Sequence, residues 1–301
     1  MSVMSTEQLT KSFGGVKAVK ELDIIIREGA CTALLGPNGA GKTTTLNMLA
    51  GLSKPTSGKV RFLGKDGGDH RGHIGYLPQY PTFYGWMSGI EYVSYLGELS
   101  GLPKKDAVRK GEELLSLVGL EKDMKKKTAG YSGGMKQRLG IAQALIHDPK
   151  LVILDEPVSA LDPHGRREVL ELMREMKKKT TILFSTHVLH DAEEISDDIY
   201  IMKEGKVIAE GSLVELQKKY QQPAVHIETE KNLNEWSENL LTAEWIRNAE
   251  IKEKAVTLTV SDLHQARVAI LNDPAFHLLQ PVRFEIVKTS LEDLFMQVTK
   301  S

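Results

Sequence analysis

The stretch Gly36-Pro37-Asn38-Gly39-Ala40-Gly41-Lys42-Thr43 decides how this chain folds. It has the pattern G-x-x-x-x-G-K-[ST], which forms a phosphate-binding loop when a strand leads into it and a helix follows it. The apolar run Ala33-Leu34-Leu35 before it predicts a buried strand, and residues 44–50 after it predict a helix. A glycine-rich turn that binds nothing is the alternative, which the filled pattern and its context disfavour.

The chemistry of this loop follows from its residue types. Glycines allow successive backbone N–H groups to point at one anion, and the start of the following helix adds a partial positive charge. Lys42 is placed to reach the β- and γ-phosphates, and the Thr43 hydroxyl is placed to ligate Mg²⁺. The stretch therefore predicts a site for a nucleoside triphosphate with Mg²⁺.

Composition limits the class of protein. The chain has 301 residues, of which 41% are hydrophobic, enough for one large domain or two modest ones with a real core. Lys plus Arg (39) and Asp plus Glu (40) nearly balance, and a net charge of -1 argues against a dedicated nucleic-acid binder. The single cysteine, Cys31, excludes an internal disulfide and fits a reducing compartment.

Hydropathy predicts no membrane segment in this sequence. No apolar stretch approaches the roughly 20 residues that span a bilayer, and the N-terminus lacks the charged-then-apolar layout of a signal peptide. We therefore expect a soluble chain whose membrane role must come through a partner.

The order of predicted elements suggests an α/β protein with an insertion. Residues 1–35 indicate short strands and turns, with strands over 3–9 and 22–26, and residues 64–73 indicate a loop. Residues 80–147 are mostly helical, and the capping box Ser88-x-x-Glu91 opens the first of these helices. Residues 150–211 return to alternating strands and helices, which implies a mainly parallel sheet.

A smaller unit is predicted after Gln221-Gln222-Pro223, which is typical of a linker. Its strands are expected over 225–227, 256–260 and 282–287, and its helices over 233–241, 262–271 and 291–298. This order makes a small α+β domain. The predicted domains are thus residues 1–220, with a helical subdomain over about 80–147, and residues 224–301.

Two carboxylates directly follow the apolar run Leu151-Val152-Ile153-Leu154. Asp155, at the end of a buried strand beside a phosphate-binding loop, is placed to hold Mg²⁺, usually through water. Glu156 is placed to polarise an attacking water as a general base. A pair of solvated carboxylates is the alternative, which the phosphate-binding loop disfavours because its Mg²⁺ needs further ligands.

Ser132-Gly133-Gly134 begins a predicted helix and forms a second candidate anion site. The serine supplies a cap, the glycines let a phosphate approach, and the helix dipole favours an anion. A plain capped helix is the simpler interpretation. One nucleotide does not need two phosphate cradles in one chain, however, so the second cradle suggests that another subunit completes the site.

His187 follows the strand predicted over 181–185, just as Asp155 follows its own strand. In a parallel sheet both residues emerge at the carboxyl edge, where ligands bind. His187 is therefore a candidate to hydrogen-bond the γ-phosphate or the attacking water, with an ordinary exposed histidine as the alternative. Phe13 precedes Gly14-Gly15 on a predicted loop tip, where half-buried packing is its default role.

These motifs, in their order and spacing, resemble the ATP-binding cassette (ABC) ATPase over roughly residues 3–215. The stretches that carry the likeness are Gly36 to Thr43, Tyr131-Ser132-Gly133-Gly134-Met135, Leu151 to Glu156, Ser159-Ala160-Leu161-Asp162 and His187. The resemblance implies a P-loop NTPase cassette with a mainly parallel sheet, N-terminal antiparallel strands and an inserted helical subdomain. In that family, two cassettes meet head to tail and enclose two ATP molecules.

The resemblance assigns the phosphate and metal roles. Gly36 to Thr44 look like the Walker A loop, with Lys42 on the phosphates and Thr43 on Mg²⁺. Asp155 looks like the Walker B aspartate, and Glu156 looks like the catalytic glutamate. The set is intact, so the likeness implies an enzyme that hydrolyses ATP.

The remaining motifs resemble the parts of the family that sense and complete the site. Gln79 looks like the glutamine that senses Mg²⁺, His187 like the switch histidine, and Asp162 like the loop that couples two sites. Phe13 looks like the aromatic residue that stacks on adenine. Ser132, Gly133 and Gly134 look like the signature that closes on the opposite subunit's γ-phosphate.

The signature departs from the family's commonest form, Leu-Ser-Gly-Gly-Gln, because Tyr131 and Met135 flank its core. Phosphate contact should survive this change. The aromatic cluster Phe83-Tyr84-Gly85-Trp86, soon after Gln79, is a candidate contact for a membrane subunit, with core packing of the helical subdomain as the alternative. The tail from Ser290 to Phe295 resembles the C-terminal extension of ABC-2-type exporter ATPases of the drug-resistance and sodium-export groups.

The expected function is that of the ATP-hydrolysing subunit of an ABC exporter, using ATP and Mg²⁺. It should dimerise, with a homodimer preferred to a heterodimer, and be held at the inner face of the cell membrane by a separate permease. A soluble ABC ATPase acting on ribosomes or DNA is the second reading, disfavoured by the single cassette and balanced charge. A module that does not hydrolyse ATP is disfavoured by Glu156 and His187.

Overall fold

The apolar runs predicted to be buried strands form the centre of a parallel sheet. A computed structural model describes residues 2–66, 68–159, 161–220, 223–287 and 295. The strands Cys31–Leu35 and Leu151–Asp155 are buried at every residue, as expected for strands covered on both faces. The chain forms two compact units, one ending at Leu213 and one beginning at Val214.

The first unit follows the predicted order of strands and helices. Its elements are β1 (Ser2–Phe13), β2 (Val16–Leu22), β3 (Ile25–Arg27), β4 (Cys31–Leu35), α1 (Lys42–Leu49), β5 (Ser57–Phe62), β6 (Lys65–Asp66), β7 (Ile74–Leu77), α2 (Gly89–Leu99), α3 (Lys104–Leu117), α4 (Gly133–Leu145), β8 (Leu151–Asp155), α5 (Pro163–Lys177), β9 (Thr181–Thr186), α6 (Leu189–Ile195), β10 (Asp198–Lys203) and β11 (Lys206–Ser212).

The main sheet has the order β11-β10-β4-β9-β8-β7, and only the β10–β11 pair is antiparallel. Its register sets Leu35 opposite Thr186 and Asp155 opposite Ser185. The carboxyl ends of β4, β8 and β9 therefore lie side by side. The predicted α/β fold with a mainly parallel sheet is confirmed, and the phosphate-binding loop, Glu156 and His187 all leave the sheet at this edge.

A second, antiparallel sheet has the order β2-β1-β5-β6, with β3 also paired to β1. The single strand predicted over 22–26 was wrong, because Leu22 ends β2 and Ile25 begins β3. The Thr6 hydroxyl sits at this break, donating to the Leu22 carbonyl (2.7 Å) and accepting from the Ile24 N–H (2.9 Å). Between Leu22 and Ile24 the Thr6 hydroxyl thus makes hydrogen bonds to the chain where the strand is interrupted. The long strand β1 can therefore pair with two short strands, β2 and β3.

The loop predicted over 64–73 contains the short strand β6. Leu63 (φ 49°) and Gly64 (φ 74°) both adopt the left-handed conformation, which is the geometry of a tight hairpin turn between β5 and β6. Nothing in the leucine side chain signals this turn, which explains why the sequence pattern missed it.

The helical block contains α2, α3 and α4, as predicted. The capping box forms in full: the Ser88 hydroxyl accepts from the Glu91 N–H (3.3 Å), and the Glu91 carboxylate accepts from the Ser88 N–H (2.7 Å). Ser132 caps α4 by accepting from the Met135 N–H (3.3 Å). Local hydrogen bonds therefore define where these helices begin.

The second unit is a four-stranded antiparallel sheet with helices. Its strand order is β13-β14-β12-β15, and its core holds two tryptophans, Trp236 and Trp245, with Phe276. In chain order the elements from the boundary onward are α7 (Leu213–Tyr220), β12 (Ala224–Thr229), α8 (Asn234–Leu240), β13 (Ile246–Lys252), β14 (Ala255–Val260), α9 (Leu263–Leu271), α10 (Pro274–Leu278) and β15 (Pro281–Val287).

Two elements of this unit were not predicted. β13 is an edge strand whose residues Arg247, Asn248 and Glu250 are exposed, so its apolar alternation is weak. α10 has only five residues and is started by the Asp273 cap and Pro274. The helix predicted over 291–298, apart from Phe295, and the linker residues Gln221-Gln222 lie outside the described residues.

Candidate active site

The phosphate-binding loop is held by close backbone packing. Gly41, in the left-handed conformation (φ 101°), is the residue before α1, and a Cβ there would lie 2.6 Å from the Ala18 carbonyl oxygen. A Cβ on Gly36 would lie 2.5 Å from the Met202 carbonyl oxygen. Both contacts are too short for a side chain, so glycine is required where β2 and β10 press against the loop.

Lys42 lies inside the loop, with 5% of its surface exposed. Its ammonium group donates to the carbonyl oxygens of Gly36 (2.8 Å) and Pro37 (3.2 Å), and it lies 3.7 Å from Glu156 Oε1. Burial lowers the pKa of Lys42 from its ordinary value, while the neighbouring Glu156 and Asp155 carboxylates oppose that change. The buried cation is thus held by weak neutral acceptors that an anionic oxygen would outcompete.

Asp155 has one oxygen that is bonded and one that is not. Its Oδ1 accepts from the Ser185 hydroxyl (2.6 Å), and Asp155 is 1% exposed. Its Oδ2 is buried without a hydrogen-bond partner among the described residues. A buried, unpartnered carboxylate oxygen is costly unless a cation meets it, so this atom fits the role of a Mg²⁺ ligand, direct or through water.

Three side chains meet the carboxylate of Glu156. Its Oε1 lies 3.2 Å from Nδ1 of His187 and 3.7 Å from the ammonium group of Lys42. Its Oε2 accepts from Nε2 of Gln79 (3.3 Å). Lys42, Gln79 and His187 follow strands β4, β7 and β9, and all three meet the carboxylate of Glu156, which follows β8.

A cavity of about 360 Å³ opens beside this cluster. Its lining combines the loop with the two side chains that approach from β7 and β8. The lining residues are Ala18, Asn38, Gly39, Gly41, Lys42, Thr43, Thr44, Gln79 and Glu156. Backbone amides, one cation and one carboxylate thus face a shared space of the size that a phosphate chain needs.

Ser132, Gly133 and Gly134 do not line this cavity. Ser132 and Gly133 are exposed at the start of α4, and no atom within 4 Å would meet a Cβ on Gly133. The signature therefore lies outside the cavity formed by the chain's own phosphate-binding loop.

Phe13 is also outside the cavity. It is 56% exposed at the end of β1, and the ammonium group of Lys11 lies 5.0 Å from its ring centre. It pairs with Val16, which starts the strand that carries Ala18 to the cavity. An exposed ring at this hairpin leaves its adenine-stacking role as a prediction.

Ser185 was not predicted, and it joins the Asp155 carboxylate to the backbone of Glu156. Its hydroxyl donates to Asp155 Oδ1 and accepts from the backbone N–H of Glu156 (2.9 Å). A signal was available, because Ser185 is the last residue of the strand predicted over 181–185 and neighbouring parallel strands end at the same edge. Ser159 was also missed, and its hydroxyl donates to the Glu156 carbonyl oxygen (3.2 Å).

The described residues include neither a cluster of metal-ligating side chains nor a membrane-spanning helix. No group of three or more His, Cys, Asp or Glu side chains is arranged to hold a metal ion by itself. Mg²⁺ bound mainly through nucleotide phosphates needs only one or two carboxylates, so Asp155 and Thr43 remain a suitable set. In the same part of the chain, no helix is both long and apolar enough to cross a membrane.

Two family models match the chain. Residues 19–159 match the model described as ABC transporter. Residues 211–299 match the model described as ATP-binding protein DrrA1-3-like, C-terminal domain. The first match covers the phosphate-binding loop, the signature and both carboxylates, and the second covers the smaller unit.

Curated relatives span most or all of the chain. YxlF of Bacillus subtilis, an uncharacterized ABC transporter ATP-binding protein, is 48% identical over 98% of this chain and 99% of its own length. The linearmycin resistance ATP-binding protein LnrL of Bacillus subtilis is 28% identical over 99% of this chain and 98% of its own. The bacitracin transport ATP-binding protein BcrA of Bacillus licheniformis is 40% identical over 69% of each chain.

Solved structures share the first unit. An ATP-binding subunit of an ABC transporter aligns with a TM-score of 0.66 and 31% identity, covering 73% of this chain and 93% of that one. A dimeric ATP-binding cassette in a post-hydrolysis state, bound to ADP and Pi, aligns with a TM-score of 0.64 and 26% identity, covering 70% of this chain and 98% of that one.

Proposed function

Because the chain belongs to the family of ABC transporter ATP-binding proteins, we propose that it hydrolyses ATP within a dimer that drives a separate membrane permease. ATP hydrolysis is general for this family. The observation that carries the proposal is the convergence of Lys42, Gln79 and His187 on Glu156 beside the loop cavity.

Different residues of the chain bind the ATP phosphates and the metal ion. Loop amides from Gly36 to Thr44 and the ammonium group of Lys42 bind phosphate oxygens, which replace the Gly36 and Pro37 carbonyls as partners of Lys42. Thr43, Asp155 and Gln79 are the residues that would hold Mg²⁺ here. When bound, Mg²⁺ neutralises charge on the β- and γ-phosphates.

Glu156 acts as the general base. Its carboxylate accepts a proton from the attacking water. Nδ1 of His187 lies 3.2 Å from Glu156 Oε1, so His187 orients the Glu156 carboxylate and also hydrogen-bonds the γ-phosphate. Ser185 holds the Glu156 backbone so that the carboxylate stays at the cavity. Phe13 stacks on adenine.

The signature completes the site of a second copy. Ser132 and Gly133 are exposed, and all three signature residues lie outside the chain's own cavity, so in this proposal Ser132, Gly133 and Gly134 bind the γ-phosphate held by the partner's loop. Each dimer then has two sites, and each site takes residues from both chains. We prefer a homodimer to a heterodimer.

Export is the proposed direction of transport. The linearmycin resistance and bacitracin transport proteins are named for handling antibiotics, and this chain aligns with the first over nearly its full length. The permease holds the chain at the inner face of the membrane. The exposed rings of Tyr84 (53%) and Trp86 (71%) are the proposed permease contact.

The test distributes two mutations in two ways across tagged, co-expressed subunits. In one preparation, one chain carries Lys42→Ala and the other Ser132→Ala. In the other, one chain carries both changes and its mate is wild type. A site shared between chains leaves one intact site in the first preparation and none in the second, so the first should have the higher ATPase.

The opposite order would mean that each chain holds a complete site and would overturn the shared-site proposal. A Glu156→Gln homodimer serves as the control for chemistry. It should bind ATP normally while its turnover falls by about 10²–10⁴-fold, the usual contribution of a general base. Full turnover in that variant would remove Glu156 from its assigned role.

A further inference from the structure

Two ion pairs join α5 to α6, and they differ in burial. Arg166 and Asp191 meet at 2.6 Å near the start of α5; Asp191 is fully buried and Arg166 is 31% exposed, and this is called the buried pair after its aspartate. Arg174 and Glu194 also meet at 2.6 Å, about two turns further along α5, with 44% and 27% of their side chains exposed. The two helices are therefore already fastened by an exposed pair, and the buried pair needs its own explanation.

The buried pair is unusual in how little else supports Asp191. Both Nε and Nη2 of Arg166 meet Oδ1 of Asp191 at 2.6 Å. Oδ2 of Asp191 is buried with no hydrogen-bond partner among the residues that the structure describes. Burial raises the pKa of Asp191, and Arg166 acts against that rise. A buried pair of this kind adds little net stability over well-packed apolar residues.

Each member of the pair lies four residues from a residue assigned to the site. The Arg166 N–H donates to the Asp162 carbonyl oxygen (2.9 Å), and Asp162 caps α5 by accepting from the Gly165 N–H (3.1 Å). Asp191 lies in the first turn of α6, and His187 lies two residues before that helix begins. The Thr186 hydroxyl accepts from the Val188 N–H (2.9 Å), which closes a tight turn around His187 directly before α6.

The start of α5 also touches the signature within the same chain. Cδ2 of Leu161, the neighbour of Asp162, lies 3.6 Å from the place that a Cβ would take on Gly134. Leu161, two residues before α5 begins, is therefore close to the signature. The Arg166–Asp191 pair is one of the contacts that join the start of α5 to α6, which follows the turn carrying His187.

We propose that Arg166 and Asp191 are positioning residues that couple the first turn of α5 to the distance between His187 and Glu156. Movement at Asp162 or the signature is passed through the pair to α6, and His187 moves with it. This inference rests on the proposed function, in which a second copy contacts the signature and the Asp162 loop when the dimer closes.

The test replaces the buried pair by apolar residues of similar length, Arg166→Met with Asp191→Leu. The matched control is Arg174→Met with Glu194→Leu, which cuts the exposed pair on the same two helices. ATP-binding sites are titrated in each preparation, so that unfolded protein does not enter kcat. We expect kcat to fall about tenfold in the first variant with KM for ATP within about twofold of wild type, because an interaction made only during turnover is lost.

The decisive readout is a double-mutant cycle with His187→Ala. If the pair acts through His187, adding the Arg166→Met and Asp191→Leu changes to the His187→Ala protein alters its residual kcat by less than about twofold. If the fold losses of kcat from the buried-pair variant and from His187→Ala multiply in the combined variant, the pair does not act through His187. That outcome would overturn the inference. An equal loss in the Arg174 and Glu194 control would overturn it as well.

The ATPase activity of the wild-type protein distinguishes a failure of the proposed function from a failure of this inference. Wild-type protein without ATPase would overturn both. Active wild-type protein with an unchanged buried-pair variant would overturn the inference alone.

Discussion

At the scale of single residues, the backbone of Glu156 is unusual. Its φ of 47° lies in the left-handed region, which costs a residue other than glycine roughly 1–2 kcal/mol. Ser185 offsets this by accepting from the Glu156 N–H while donating to Asp155. One hydroxyl therefore holds the Asp155 carboxylate and the Glu156 backbone, and the strained backbone lies where the chemistry is expected.

Ser185→Ala should lower ATPase and stability together. It leaves the Glu156 N–H and one Asp155 oxygen without partners, which costs about 1–3 kcal/mol of unfolding free energy. We expect kcat to fall at least about tenfold because the carboxylates lose their fixed geometry. Urea denaturation and steady-state ATPase measure the two effects.

Thr32→Val is the control for that substitution. Thr32 is fully buried on β4, and its hydroxyl has no hydrogen-bond partner among the described residues. Its removal should leave both stability and kcat near the wild-type values. A Ser185→Ala protein that behaves like Thr32→Val would show that the hydrogen bonds of Ser185 do not position the carboxylates.

Cys31 provides a titration-based prediction. Burial raises the pKa of this thiol from 9.0 to about 12. Between these two values the unfolded chain carries a reactive thiolate while the native chain keeps the neutral thiol. Alkylation by iodoacetamide should therefore accelerate strongly with pH in guanidinium chloride and stay slow in native buffer up to about pH 10. Rapid native alkylation at pH 8 would contradict the buried placement of Cys31.

At the scale of elements, α2 and α4 begin in the same way but are assigned different duties. Ser88 and Ser132 each accept a hydrogen bond at 3.3 Å from the N–H three residues on. Ser88 is buried, whereas Ser132 is exposed. Both serines cap a helix, but only Ser132 is exposed and can reach a phosphate of another molecule. Comparing the two therefore separates the effect of losing a helix cap from the effect of losing a phosphate contact.

Replacing each serine with alanine should separate these roles. Both changes should destabilise the protein by about 1 kcal/mol, the usual loss of a helix cap. Only Ser132→Ala should lower ATPase, by at least about tenfold, because only it removes a donor to the γ-phosphate. Thermal unfolding and ATPase of the two variants measure this. Equal ATPase in both would indicate that Ser132 is a cap alone.

At the scale of the whole molecule, the aromatic cluster after Gln79 divides into an inner and an outer part. Phe83 is half-buried and meets Tyr92 edge to face at 5.1 Å between ring centres. Trp86 is 71% exposed and lies 6.0 Å from Tyr84. Core packing thus explains Phe83, and a contact outside the chain is proposed for Trp86.

Trp86→Ala should weaken binding to the permease without weakening the fold. The loss of an anchoring tryptophan is worth about 2 kcal/mol or more at an interface, so co-purification with the co-expressed permease should fall at least about tenfold. Leu278→Ala, at the same 71% exposure in the second unit, is the control. Unchanged co-purification of the Trp86 variant would leave the permease contact elsewhere.

Local signals were sufficient for many elements. The Ser88 capping box, the Ser132 cap and the buried strand before the phosphate-binding loop were predicted and are confirmed. Each depends on residues that are close in the chain, such as a serine and the N–H three positions on. The strand predicted over 22–26 failed because the break depends on Thr6, a distant residue.

The sequence by itself determined the phosphate-binding loop, the α/β order and the family, because these depend on short spacings and on glycine where no Cβ fits. The packing of the strands was needed to show that Lys42, Gln79 and His187 meet at Glu156, that Ser185 joins the Asp155 carboxylate to the Glu156 backbone, and that the signature lies outside the chain's own cavity. Those facts depend on which strands lie side by side and in what register. Register is set by packing among residues far apart in the chain, and no local pattern records it.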